Sequence, residues 1–387
     1  MVNGGRGRAH LCGVQTAWSQ LARAEDAVAE VAAAIDGTRV AQLLVFFSPS
    51  YGAEAMSAAL ARRFPGIGVA GCTSSGEISP AGGLDRGLVV VAFPREGFRV
   101  VSTVLTGVEQ LDVEEAVASV RTLRMRLDMA GEGCAQRFAI SLIDGLTLAE
   151  ERVTSAVAFG LDAIPLVGGS AGDALTVSDT ALIHDGQVHH GAAILLIVAT
   201  DHPIEVFKTD NLEPQAVKFV VTQTDAENRT VRELNAEPAA AEYARALGLQ
   251  PEMLTPTVFA ANPLAVRVGG DYFCRSIHRL NPDGSLSFLC AVDEGVVLTL
   301  AGRKDLVTTT RDELARLDAA LGGLDLVIGF DCVLRRLDAE LHQVRHRLSD
   351  LYRRYNVIGF ETCGEQYRAI HLNHTFTGIA IGALPRA

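Results

Sequence analysis

Three times along this chain an apolar run of strand length gives way to a helical stripe and then to a glycine-rich bend. The runs are 43–48 (LLVFFS), 138–144 (FAISLID) and 326–331 (LVIGFD). The bends are 71–77 (GCTSSGE), 168–173 (GGSAGD) and 359–365 (GFETCGE), each ending in glycine plus a carboxylate. Each bend begins 23, 24 or 28 residues after its run ends, the length a helix and its connections need to return the chain to a neighbouring parallel strand. A second apolar run closes each unit at 87–93, 191–198 and 377–384.

Within the units, Met56, Leu60 and Phe64 recur every four residues until Pro65-Gly66 stops the helix. Thr147 to Glu150 has the T-x-x-E form of a capping box, and Val153, Val157 and Leu161 mark one face. The third stripe predicts the longest helix, through Leu334, Leu337, Leu341, Val344, Leu348, Leu351 and Tyr355. Such a stripe packs on a sheet or seams a homodimer. Two further helices are expected, about 19–35 and from Asp112 onward. Between the second and third units, 237–247 reads as a short helix and 257–301 as an antiparallel meander turning at Asn281-Pro282-Asp283-Gly284. The pattern predicts an α/β chain with mixed sheets flanked by helices. Two domains are expected. Residues 1–222 hold two strand-helix-strand units, and 223–387 hold the meander and the third.

Composition narrows the function classes. The net charge of -12 over 387 residues lacks the cationic excess that nucleic-acid binding or an anionic membrane surface requires. No apolar run reaches the ~18 residues a membrane helix needs. Seven cysteines, odd in number and widely spaced, form neither a zinc motif nor a disulfide framework, and a reducing cytoplasm is the expected compartment.

The bends are the candidate chemistry. Their glycines let a ligand approach the backbone, their hydroxyls offer donors and acceptors, and their carboxylates offer charge. The candidate ligand-binding set is Cys72, Thr73, Ser74, Glu77, Gly169, Ser170, Asp173, Gly364, Glu365 and Asn373. The plainer reading makes each bend a connection with a capping carboxylate. Residues 168–172 match G-x-S-x-G, but 173–186 carries strand alternation where a nucleophile elbow needs a helix, so a hydrolase using Ser170 (or Cys72) is the weaker alternative. Neither a Walker nor a dinucleotide glycine motif occurs. No metal-type histidine spacing appears, although one histidine suffices for a b-type haem.

At these bends, and in HLNHTFTGIAIG at 371–382, the chain resembles the FIST family of two-part sensory proteins over nearly its whole length. The resemblance implies a non-enzymatic sensor of small ligands, amino acids being one class. Stand-alone chains of this length are similar to nitric-oxide-sensing proteins carrying haem b, which regulate a sensor histidine kinase or cyclic-di-GMP enzyme. His189, His190 and His371 are the haem-ligand candidates by position. An amino-acid or metabolite module without haem is the alternative.

Overall fold

The computed structural model describes residues 6–129, 134–173 and 179–384. The three apolar runs fold as strands Val40–Phe47, Gln136–Ile143 and Leu324–Cys332. Each is joined through helical structure to a parallel inner strand, Gly68–Thr73, Leu166–Ser170 or Val357–Thr362. The closing strands Leu88–Pro94, Ala192–Thr200 and Thr375–Gly382 pair antiparallel on the other side of the first strands. The fold is therefore α/β with mixed sheets.

The units do not stack independently; they exchange hairpins around a ring. The hairpin after the first bend (Glu77–Ser79, Gly82–Leu84) adds to the third unit's inner strand, with Glu77 opposite Phe360. The third unit's hairpin (Glu365–Tyr367, Ile370–Leu372) adds to the second's, with Glu365 opposite Gly169. The second unit's hairpin (Leu182–His184, Gln187–His189) adds to the first's, with Leu182 opposite Cys72. Every inner strand thus has its outer edge covered by another unit, which removes three exposed sheet edges at once. A shared core lies between the sheets, where Phe46 stacks on Phe360 at 4.6 Å and Phe330 meets both edge-on.

The repeat is longer than the apolar runs suggest. Strands Gln15–Ser19, Phe98–Thr106 and Ile204–Asp210 each pair with the closing strand of the following unit. Each precedes a helix: Ala24–Ala34, Val113–Met129 and Leu306–Ala320. In the third copy the meander is inserted between strand and helix. It departs at Leu212 and returns at Arg303, which are paired across one ladder. Insertions succeed where the chain leaves and re-enters side by side. The expected boundary at 222/223 falls inside the strand Leu212–Asp225, and the third unit sits with the first two, not with the meander.

Each bend opens on a glycine for one reason. A Cβ at Gly71, Gly168 or Gly359 would lie 2.3, 2.1 or 1.8 Å from the carbonyl oxygen of Val45, Ser141 or Gly329 on the parallel neighbour. No side chain fits there.

Two predicted helices differ. The third stripe breaks into Val333–Leu341 and Arg345–Arg354, with Gln343 in the left-handed region at φ 57°. The first piece is turned so that Arg335 and Asp338 face inward while Leu337 and Leu341 lie 38% and 58% exposed. Ionic pairing decides this rotation. Arg335 Nε donates to Asp331 at 2.6 Å and Nη2 to Thr310 Oγ1 at 2.8 Å, while Asp338 contacts Arg303 and Asn211. The predicted capping box is also absent. The helix Glu150–Leu161 begins on Ala149, and Thr147 Oγ1 donates to the Asp144 carbonyl instead.

Candidate functional site

The three bends meet. Ser75 N–H donates to Glu361 O and Glu361 N–H to Gly76 O, at 3.0 and 2.7 Å. Ser170 N–H donates to Gly364 O and Cys363 N–H to Ser170 O, at 2.7 and 3.2 Å. Gly172 N–H donates to Thr73 O at 3.2 Å. First binds third, third binds second, and second binds first. The glycines later in the bends permit this contact: a Cβ on Gly172 would lie 2.1 Å from Ser75 Oγ, and one on Gly76 2.2 Å from Glu361 Oε2.

At this hub most predicted site residues are already engaged. Ser74 Oγ donates to Glu77 Oε1 at 2.5 Å, and Thr362 Oγ1 donates to Glu365, the same three-residue staple in two bends. Glu365 also accepts from the N–H and Oγ1 of Thr375, tying its bend to the closing strand. Burial raises the Glu77 carboxyl well above its ordinary range and the Glu365 carboxyl to about 8. Thr73 Oγ1 accepts from Ala181 N–H, and Ser170 Oγ accepts from Gln366 Nε2 at 3.1 Å. Cys72 is core, its thiol pushed well above its ordinary value by burial. Gly169 leaves room for the Phe360 ring, whose Cζ a Cβ would approach to 3.0 Å. Asp173 accepts from Asp179 N–H, and residues 174–178 between them lie outside the described residues.

One side of the hub differs. His371 is 2% exposed and neither ring nitrogen has a partner among the described residues. Nearby, Asn373 is fully buried; its Nδ2 reaches Cys363 O at 3.5 Å and its Oδ1 has no partner among the described residues. Gly364 lies flat against the imidazole, where a Cβ would come within 2.3 Å of Cε1. Burial lowers the His371 pKa, while Glu150 and Glu151 act to raise it.

Those carboxylates come from the first turn of the helix Glu150–Leu161, which no side chain caps. Arg229, from the inserted meander, bridges them at 2.6 and 2.7 Å, and Glu151 also accepts from Ala291 N–H at 2.7 Å. This rim therefore joins all the parts. A hairpin of the third unit, a helix start of the second and a buried arginine of the insertion meet around one unpaired imidazole. Glu151 and Arg229 carry no local motif and Glu150 only the predicted capping box, so what marks them is their ion pairing and their charge near His371 in the folded chain.

His189 and His190 lie elsewhere. His189 ends the second unit's hairpin, on a different sheet from His371, and the exposed His190 donates through Nδ1–H to Thr180 O, 2.8 Å away. A haem needs apolar walls for its macrocycle. The charged groups whose fields reach His371 are Glu150, Glu151, Arg229 and Arg275, a set that supplies no apolar wall.

The family model of the FIST N domain matches residues 42–237, and that of the FIST C domain matches residues 239–368. The junction of the two matched regions lies within the inserted meander. No curated relative matches the chain.

Proposed function

The chain belongs to the FIST family, whose domains are associated with sensing small ligands in signal transduction, and from that premise we propose that it binds an amino-acid-type ligand at the His371 rim. The observation that carries this reading is an imidazole without a partner among the described residues beside an Asn373 oxygen in the same condition, both buried. Leaving such groups unpaired costs roughly 1–3 kcal/mol each, so a ligand that pairs them gains that much in addition to its own contacts. Mixed charge suits a zwitterion. An ammonium pairs with Glu150 or Glu151, and a carboxylate with Arg229 and the imidazole N–H.

Entry at this rim alters how Arg229 holds Glu150 and Glu151, so occupancy is coupled to the seating of the insertion against the body. A ligand shifts such an equilibrium only through a difference in affinity between the two arrangements. That difference is the signal passed to a separate enzyme, of the histidine-kinase or cyclic-di-GMP class that the family resemblance implies. The protein binds its ligand without transforming it, a reading supported by the engagement of Ser170 with Gln366 and the burial of Cys72.

The experiment is a thermal-shift and calorimetric screen of the free amino acids on the full chain, with His371→Ala and Asn373→Ala alongside. Binding by the parent and a loss of at least about tenfold, ~1.4 kcal/mol, in either variant is expected. Unchanged affinity in both variants removes the site from this rim. The same preparation, mixed with haem and reduced, tests the second class. A Soret band that shifts with nitric oxide and vanishes in His371→Ala replaces the amino-acid reading with the haem reading.

A further inference from the structure

A cleft of about 1340 Å³ lies away from the bends and runs along the strand Ile204–Asp210. This exceeds the roughly 300–1,000 Å³ of small-molecule sites. All of residues 204–208 line it. Successive side chains of a strand point to opposite faces, so a cleft touching five in a row follows the strand's edge. That edge is open: among the described residues the strand pairs only with the closing strand Thr375–Gly382 and ends its sheet.

Natural edges are blunted by charge, proline or cover; on this one the charges of Glu205 and Lys208 are both taken up in ion pairs within the chain. Lys208, the one cation on the edge, is drawn aside to Asp210 at 2.9 Å and stands 4.9 Å from the Phe273 ring centre. Ile204 and Val206 are only partly buried. Across the cleft stand Phe159, 69% exposed, and Tyr367.

The charges of the walls are unequal. Glu205 and Glu313 are held by Arg316 at 2.8 and 2.7 Å, and Asp162 faces Arg124 at 3.7 Å. Arg137 is paired outside the cleft with Asp128. Arg368, at the exposed tip of the third unit's hairpin, has no carboxylate partner among the described residues, and its guanidinium lies 5.3 Å from the Tyr367 ring centre. The hairpin tip that carries it is fixed by Arg368 N–H donating to Leu166 O at 2.7 Å.

We propose that this cleft takes an extended acidic segment of a partner protein, which adds as a strand to the edge at 204–208. Main-chain hydrogen bonds to the open edge give affinity, alternate apolar side chains pack on Ile204, Val206 and Phe159, and a carboxylate pairs with Arg368. The inference is independent of the ligand at His371. It supplies a surface through which such a sensor engages a second protein.

The probe is a capped ten-residue peptide alternating valine and glutamate, titrated by fluorescence anisotropy against the full chain. Two further versions are N-methylated on opposite alternate sets of amides. A Kd on the order of 10–100 μM is expected, with at least about tenfold weakening in Arg368→Glu, in Phe159→Ser and in one N-methylated version. Bound peptide is also expected to slow hydrogen exchange at 204–208. Absence of binding at about 1 mM overturns the proposal. So does binding by both methylated peptides as tight as the parent's, or protection confined to other strands. A second copy of the chain as the true occupant would appear as a concentration-dependent dimer in sedimentation that Phe159→Ser abolishes, and that result also overturns it.

Discussion

The hub of bends and the rim at His371 adjoin each other and are built from the same repeated hairpins, yet they differ in how far their buried polar atoms are satisfied. At the hub, Glu77 and Glu365 are stapled by hydroxyls three residues earlier, each bend trades main-chain hydrogen bonds with the next, and Glu77 Oε2 is left without a partner among the described residues. At the rim, both ring nitrogens of His371 and Asn373 Oδ1 are equally buried and have no partner among the described residues. The repeated contacts hold the bends to one another. The symmetry fails on the side where the inserted meander brings Arg229 and Ala291 to the helix start at Glu150, and the proposed ligand site lies there.

Breaking the hub is expected to have the largest effect. Gly359→Ala places a methyl 1.8 Å from the Gly329 carbonyl oxygen, between two backbones that cannot withdraw independently. A loss of more than about 4 kcal/mol is expected, read as a collapse of the urea midpoint or of soluble yield. Arg229→Ala follows, because it strands the buried Glu150 and leaves Glu151 without its ionic partner, with only the Ala291 N–H still donating to it. About 3 kcal/mol is the expected cost by chemical denaturation. Loss of that bridge is also expected to raise proteolytic susceptibility at the junctions near 212 and 303 before the body unfolds.

A subtler test uses acidity. Burial raises Glu365 to about 8 and Glu361 to about 7, above the ~4.3 of an unfolded chain. Between roughly pH 4.5 and 8 the unfolded state binds fewer protons than the folded one, so these groups make stability fall as pH rises. Burial of His374, lowered to about 4, acts in the opposite sense below about pH 6.5. The difference between parent and Glu365→Gln isolates the carboxyl. The variant is expected to lose about 2.5 kcal/mol less than the parent between roughly pH 6 and 8.5 in urea titrations. An identical pH slope in both proteins would refute a protonated Glu365. The smallest stability effect belongs to the rim: Asn373→Ala is expected to change stability by less than about 1 kcal/mol, since it deletes an unpaired oxygen with a weak amide contact. A large destabilisation there would make the rim structural, like the hub.

Much of the body was legible because each unit repeats a local pattern. The strands at 40, 136 and 324, their closing partners and the bends between them all follow from apolar runs and glycine punctuation. The helix cap at Asp112 was also legible, its Oδ1 accepting from Glu114 and Glu115 N–H. The leucine stripe at 334–355 misled, because buried ion pairs at Asp331 and Asp338 outweighed the preference of leucine for the interior. The outer repeat copies at 15, 98 and 204 were hidden, since these strands, at or next to a sheet edge, carry a weaker apolar signal than a central one.

The sequence by itself determined the units, their order and the family, since spacing, apolar period and glycine positions act over a few residues. Tertiary structure alone decided that the hairpins are exchanged, that the meander interrupts the third copy, and that Glu150, Arg229 and His371 converge. Those outcomes depend on contacts between residues 79 to 221 positions apart, where loop closure and packing decide, and no local pattern encodes them.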